Sequence, residues 1–381
     1  MIFEQTEYDA RLARAQAGMT ARGLDGMLLF APESHFWLTG YDTFGFCFFQ
    51  VLILPAAGAP VLLTRSADLR QAQLTSTIRD VRIWRDGAGV DPTADLPALL
   101  SEMGLKGARL GVETDTHGLT AMNGDRLRAR LQGVCALVEA SDLIPALRLT
   151  KSPAEMAHVR RAADLADAAW DAALPLIGPG ADEAAILAAM QGAVLGGGGD
   201  YPGNEFIIGS GERALLCRYF SGRRRLEARD QLTLEWAGAH ARYHAALMRT
   251  VVIGAPRAEH VRMHAAARDA LLACEAALKP GRPMADVFDA HARALDEAGY
   301  GHARLNACGY ALGARYTPSW MEPQMFYRGA PTIMGPGMVF FLHMILMDSA
   351  TGAAMTLGRT SLVVETGAEP LSRLSLDLPM A

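Results

Sequence analysis

The sequence predicts an N-terminal α/β domain followed by an α+β domain with internal duplication. Along residues 1–145, helical and strand-like hydrophobic patterns alternate, as layered α/β structure requires. Beyond them, a helix, a Pro-Gly turn, a second helix and strand-like segments occur twice in the same order. Half of the 381 residues are hydrophobic and 20% are charged, which excludes a disordered chain and calls for large cores.

The elements follow in order. Residues 8–22 place Leu12, Ala15 and Met19 at helical spacing. Short apolar runs at 27–30, 51–54 and 61–63, each bounded by Gly or Pro, read as buried strands. A helix over 95–105 precedes a strand over 109–112. At the domain boundary, Ser152 can cap a helix with Pro153 at its first position, and Glu155 completes a capping box. That helix runs to about residue 176, Gly178-Pro179-Gly180 ends it, and Asp182 caps a second helix through residue 190. The second copy has helices over 257–278 and 284–298 around Pro280-Gly281. Strands are expected at 205–208 and 232–235 in the first half, and at 339–346 and 361–365 in the second. The glycine run 196–199 precedes no Lys-Ser/Thr and reads as a turn, not a phosphate loop.

Thirty-six basic against forty-one acidic residues give a net charge of −5, so no overall basic field exists for nucleic acid or an anionic membrane. No apolar run approaches the roughly twenty residues of a membrane span. Met1-Ile2-Phe3-Glu4-Gln5 lacks the pattern of a signal peptide, so a cytoplasmic location is expected. Cys47, Cys135, Cys217, Cys274 and Cys308 are scattered without a CxxC pair and read as buried thiols in a reducing compartment.

Several motifs carry a family resemblance. Leu147-Arg148-Leu149-Thr150-Lys151-Ser152-Pro153-Ala154-Glu155, Ala277-Leu278-Lys279-Pro280-Gly281 and Pro336-Gly337-Met338-Val339-Phe340 resemble the pita-bread superfamily, which includes methionine aminopeptidase, aminopeptidase P, prolidase and creatinase. Phe36-Trp37-Leu38-Thr39-Gly40-Tyr41 resembles the N-terminal domain of its prolidase and creatinase branch. The resemblance implies a creatinase/prolidase-like α/β domain over 1–146 and a pita-bread catalytic domain over 147–381.

Metallopeptidases of this superfamily bind two metal ions through Asp, Asp, His, Glu and Glu. The positions that match hold Glu235, Ala246, Tyr310, His343 and, near the end, Gly358. Alanine and glycine donate nothing, and tyrosine is protonated near neutral pH unless a metal is already there. One glutamate and one histidine cannot offset two dications. The expectation is therefore no metal ligand set and no cofactor. Creatinase is a metal-free member that hydrolyses a C–N bond of an amidino acid. Its general-base position holds Arg218 here and its guanidinium-holding acid falls at Met248, both of which argue against creatine. Leu234-Glu235-Trp236-Ala237-Gly238, Cys308-Gly309-Tyr310, Thr317-Pro318-Ser319-Trp320-Met321 and Phe340-Phe341-Leu342-His343-Met344 are similar to the ectoine hydrolase subgroup.

The implied function is metal-independent hydrolysis of a C–N bond in a small cyclic amidine or amidino acid, with ectoine or hydroxyectoine foremost. The alternatives are a metal-dependent Xaa-Pro aminopeptidase or dipeptidase with atypical ligands, and a non-catalytic ligand-binding paralogue. Glu235, the one acidic residue at a metal position, can pair with an amidinium, attack its carbon or activate a water. His343 would shuttle a proton to the leaving nitrogen. Tyr310 would either donate to developing charge or fill the space a metal left. Arg218 is the candidate for a substrate carboxylate, with Arg249 structural. Tyr243, His244, Trp320 and Glu322 are candidates for lining the pocket. The resemblance also implies a homodimer in which Trp37, Tyr41 and Asp42 contribute to the partner's site. The partner molecule otherwise expected is a small zwitterion.

Overall fold

The short apolar runs of the N-terminal region become strands buried on both faces. The computed structural model describes residues 1–220 and 222–381, and the chain divides into two units, Met1–Arg148 and Leu149–Ala381. Among the described residues, the first unit holds a six-stranded sheet of β1 (Gly26–Leu29), β2 (Val51–Pro55), β3 (Val61–Arg65), β4 (Asp80–Trp84), β5 (Arg109–Val112) and β6 (Ala136–Glu139). Its order is β4-β3-β2-β1-β5-β6, with parallel and antiparallel pairs mixed. Successive side chains alternate between two cores: Met27 and Leu29 enter one, Leu28 and Phe30 the other. The predicted first helix forms at Gln5–Ala21.

In the second unit the capping box closes as read. Ser152 Oγ accepts from the Glu155 amide at 3.3 Å, and Glu155 Oε2 accepts from the Ser152 amide at 2.8 Å. The helix it starts spans Pro153–Ala173, followed by helices Glu183–Gly196, Ala258–Ala277 and Met284–Glu297. The strands are β7 (Ile207–Ser210), β8 (Asp230–His240), β9 (Tyr243–Ile253), β10 (Gly309–Leu312), β11 (Met321–Met325), β12 (Val339–Asp348), β13 (Ala353–Val364) and β14 (Gly367–Pro370). Their order is β11-β10-β12-β13-β9-β8-β7, with β14 on β13. Reading outward from the central β9–β13 pair, β8 and β7 on one side answer to β12 and β10 on the other. The duplication is thus visible as a symmetric sheet. The strand predicted at 232–235 lies inside the much longer β8, and the one predicted at 361–365 covers only the last residues of β13 and overruns its end by one, since β-structure continues through Ala- and Gly-containing stretches that carry weak local preference.

Two details fix which way β8 faces. Ala241 and Arg242 both have positive φ, 50° and 67°, forming a two-residue turn between β8 and β9. This sets the pairing of Glu235 with Met248 and of Ala237 with Ala246. On the other face, Trp236 donates from Nε1 to the Ala166 carbonyl at 2.8 Å and stacks on Trp170 at 5.6 Å. Burying an indole removes roughly 200 Å² from water, worth about 5 kcal/mol before entropy is counted. With Trp236 locked to the helix, strand alternation turns Glu235 away from it.

Candidate active site

The register alone gathers the site. Glu235 on β8 pairs with Met248 on β9, Met248 with Gly358 on β13, and Gly358 with His343 on β12. One rung therefore crosses four strands on the face opposite the helices. The next rung brings Tyr310 on β10 opposite Phe341 on β12. Ala246 lies on the same face, two residues from Met248. All five positions that the family resemblance assigns to metal ligands thus share one face.

Tyr310 Oη donates to Glu235 Oε1 at 3.2 Å and accepts from Trp320 Nε1 at 2.8 Å. On a flat sheet the Cα atoms of Glu235 and Tyr310, four strand spacings apart, would be about 19 Å apart, beyond the reach of both side chains plus this bond. The sheet is therefore strongly curved over the site. Tyr310, Phe341 and His343 form an aromatic triad, with ring centroids 5.5–5.6 Å apart and tilted or edge-on.

Burial pushes the Glu235 carboxyl up to about 7, against the opposing pull of the Tyr310 hydroxyl and the Arg218 charge. Burial and the neighbouring Glu235 charge hold the Tyr310 phenol well above its ordinary value, so it stays a donor. Burial, aided by His291 and Arg218, lowers His343 to about 3, and its Nδ1 is buried without a hydrogen-bond partner among the described residues. At neutral pH the site thus contains a carboxyl poised between its two forms, a neutral imidazole and a phenol.

The other sequence candidates divide between faces. His244 lies on the Glu235 face and is fully buried; its Nε2 accepts from the Gly203 amide at 2.8 Å, and burial lowers it to about 4. Trp320 joins the site through Tyr310. Arg218 is exposed, and its charge reaches Glu235 and His343. Tyr243, expected in the pocket, is on the helical face instead: its hydroxyl donates to Glu155 Oε1 at 2.7 Å and its ring stacks on His158. Adjacent strand residues cannot share a face, so Tyr243 and His244 could not both line one pocket. Arg249 is also on the helical side, where Nη1 donates to the carbonyls of Met248 and Gly358, a structural role. Glu322 is buried with Arg315 3.7 Å away, so its charge is met within the protein.

Trp37 and Tyr41, expected to reach a partner's site, are each 1% exposed within the core of the first unit. They have no surface to offer. Asp42 is half-buried in the same unit, its carbonyl accepting from Gln71 Nε2. Cys274 and Cys308 are buried as expected, but Cys47 is exposed and Cys135 and Cys217 are half-buried. Sequence reasoning missed Phe341 and Asn204. Phe341 offered no signal beyond its apolar strand, and Asn204 contributes through Oδ1, which accepts from the Trp320 amide at 3.2 Å.

A two-unit chain with a curved, internally duplicated sheet and a half-buried carboxylate at its centre defines a hydrolase of the pita-bread type. The chain belongs to Metallopeptidase family M24, which matches residues 157–365, and the Creatinase/Prolidase N-terminal domain matches residues 11–150. It is 28% identical over 389 residues to the ectoine hydrolase of Halomonas elongata, covering 97% of this chain and 96% of that one. It is 24% identical over 237 residues to a Xaa-Pro dipeptidase of Pyrococcus furiosus, covering 62% and 67%. Among solved structures, dipeptidase PepE from Mycobacterium ulcerans superposes with a TM-score of 0.85 at 24% identity over 99% of each chain. No helix among the described residues is long and apolar enough to cross a membrane.

The family name implies metal ions, and the residues on this face do not fit them. Ala246, Met248 and Gly358 offer no oxygen or nitrogen donor, and Tyr310 holds its proton. Among the described residues, no three His, Cys, Asp or Glu side chains converge as a metal site would need. Space is lacking as well. A Cβ on Gly358 would lie 2.8 Å from the Leu342 carbonyl and 2.9 Å from the Phe341 ring. The Phe341 ring stands where a ligating side chain from position 358 would begin.

Proposed function

We propose that the protein hydrolyses a C–N bond of a small cyclic amidine without metal, with ectoine or hydroxyectoine as the substrate. The observation that carries this reading is that, of the five positions where the family resemblance places metal ligands, Glu235 alone is acidic, and its Oε1 is held by Tyr310. A carboxylate in that position suits an amidinium, whose positive charge it meets and whose carbon it can attack.

The chemistry balances with water alone. Glu235 either attacks the amidinium carbon, forming an ester-like adduct that water then cleaves, or removes a proton from a water that attacks directly. In both routes the ring C–N bond breaks. The oxygen of water becomes the carbonyl of the new acetamide, and the leaving nitrogen gains a proton to become an amine. His343, neutral and with Nδ1 unpartnered, is suited to passing that proton. Arg218, exposed and within electrostatic reach of Glu235, suits the substrate carboxylate. The resemblance to the ectoine hydrolase of Halomonas elongata supports this substrate class. The dipeptidase reading draws on the family name and on the Pyrococcus relative, but it requires ligands that Ala246 and Gly358 cannot supply.

The test is incubation with ectoine in the presence of a strong chelator, read by mass spectrometry. The expected product is the substrate plus one water, N-acetyl-diaminobutyrate. No turnover of ectoine or hydroxyectoine by folded protein, or cleavage of Xaa-Pro dipeptides that stops when metal is removed, would reject the reading.

A further inference from the structure

We propose that Trp320 is a positioning residue for Glu235: its indole N–H fixes the Tyr310 hydroxyl as a donor to Oε1, and Oε2 is thereby left as the oxygen that reacts. The proposal rests on the reading of Glu235 as the reacting carboxylate.

The direction of each bond follows from the groups themselves. An indole N–H only donates, whereas a phenol can both donate and accept. With Trp320 Nε1 2.8 Å from Tyr310 Oη, the Tyr310 oxygen must accept. Its own hydrogen is then directed elsewhere, and Glu235 Oε1 at 3.2 Å is the acceptor available to it. Glu235 Oε2 has no hydrogen-bond partner among the described residues. The two oxygens of one carboxylate are therefore distinguished, one fixed and one open.

The indole can act this way because it is itself held. Trp320 is 1% exposed, and its amide donates to Asn204 Oδ1 at 3.2 Å. The adjacent Gly203 amide donates to His244 Nε2 at 2.8 Å. With Nε2 accepting, the His244 proton is assigned to Nδ1, which faces the Gly313 carbonyl at 3.4 Å. His244 stands on the Glu235 face of β9. The order of support is thus His244 to the 203–204 segment, that segment to Trp320, Trp320 to Tyr310, and Tyr310 to Glu235. His244 acts as an anchor in this arrangement and not as a substrate contact. Without the indole N–H, the phenol is free to turn, and the ionised carboxylate loses a donor that favours it.

The test follows the titration of Glu235 itself, by the infrared carboxyl band that disappears in Glu235→Gln. Trp320→Phe is expected to raise the Glu235 midpoint by roughly half a unit to one unit, and Tyr310→Phe by roughly one to two. Because Trp320 acts through Tyr310, the double variant should match Tyr310→Phe alone to within about half a unit. An unchanged midpoint in Trp320→Phe, or additive shifts in the double variant, would overturn the proposal. Should Trp320→Phe not fold, the wild-type protein decides. One of its five indole N–H resonances must shift at the Glu235 midpoint and stay still in Glu235→Gln; if none does, the proposal fails. None of these measurements uses a substrate. If the midpoints behave as stated and ectoine is not turned over, the proposed substrate falls while the role of Trp320 stands.

Discussion

Glu235→Gln is expected to lower turnover on the order of 10³-fold or more while leaving a folded protein. Glutamine keeps the size and accepts the Tyr310 hydrogen bond, but its amide neither attacks carbon nor takes a proton from water. The wild-type rate should rise with pH around a midpoint of about 7, where the carboxyl ionises, and His343, held near 3, should add no second limb between pH 5 and 8. Stability should move the other way. The folded state raises the Glu235 carboxyl above its ordinary 4.5, so its contribution is fully present below that value and is lost as pH rises through about 7. Glutamine suffers no such loss. At pH 8 the variant should therefore melt at or above the wild type, by about 1–2 kcal/mol once the partial exposure of the carboxylate is allowed for. Calorimetry at pH 5 and pH 8 checks this, and full activity in the variant would remove Glu235 from the chemistry.

Gly358→Glu should fail to rebuild a metal site and should destabilise the protein by at least ~3 kcal/mol. The new side chain would begin 2.8 Å from the Leu342 carbonyl and 2.9 Å from the Phe341 ring, and its carboxylate would be placed among buried groups. For a unit of this size, that corresponds to a fall in Tm of roughly 6–12 °C. Calorimetry with and without manganese, cobalt or zinc gives the result. A variant as stable as the wild type that gains tight metal binding would mean that Phe341 yields, and that the site lacks metals only for want of one ligand.

The capping box at Ser152, the repeated helix pairs and the order of the family motifs were legible because each depends on local sequence. Glu235, Tyr310 and His343 could be nominated together because the motif positions carry the register with them. The turn at Ala241-Arg242 could not be read, since neither residue favours the positive φ it adopts, and that turn sets the pairing across β8 and β9. The place of Tyr243 is legible from strand alternation, which puts it on the face opposite His244. The resemblance points Trp37 and Tyr41 toward a partner's site, but the core of the first unit buries both. The Trp320–Tyr310–Glu235 chain was beyond sequence, because it joins three strands or loops through curvature that no local pattern encodes.

The most direct measurement is the metal content of a purified sample whose turnover of ectoine is assayed in the same tube. Well under one equivalent of any transition metal, with the rate unchanged by a chelator, is the predicted result. Two tightly held equivalents, with activity that disappears on their removal and returns with them, would contradict it.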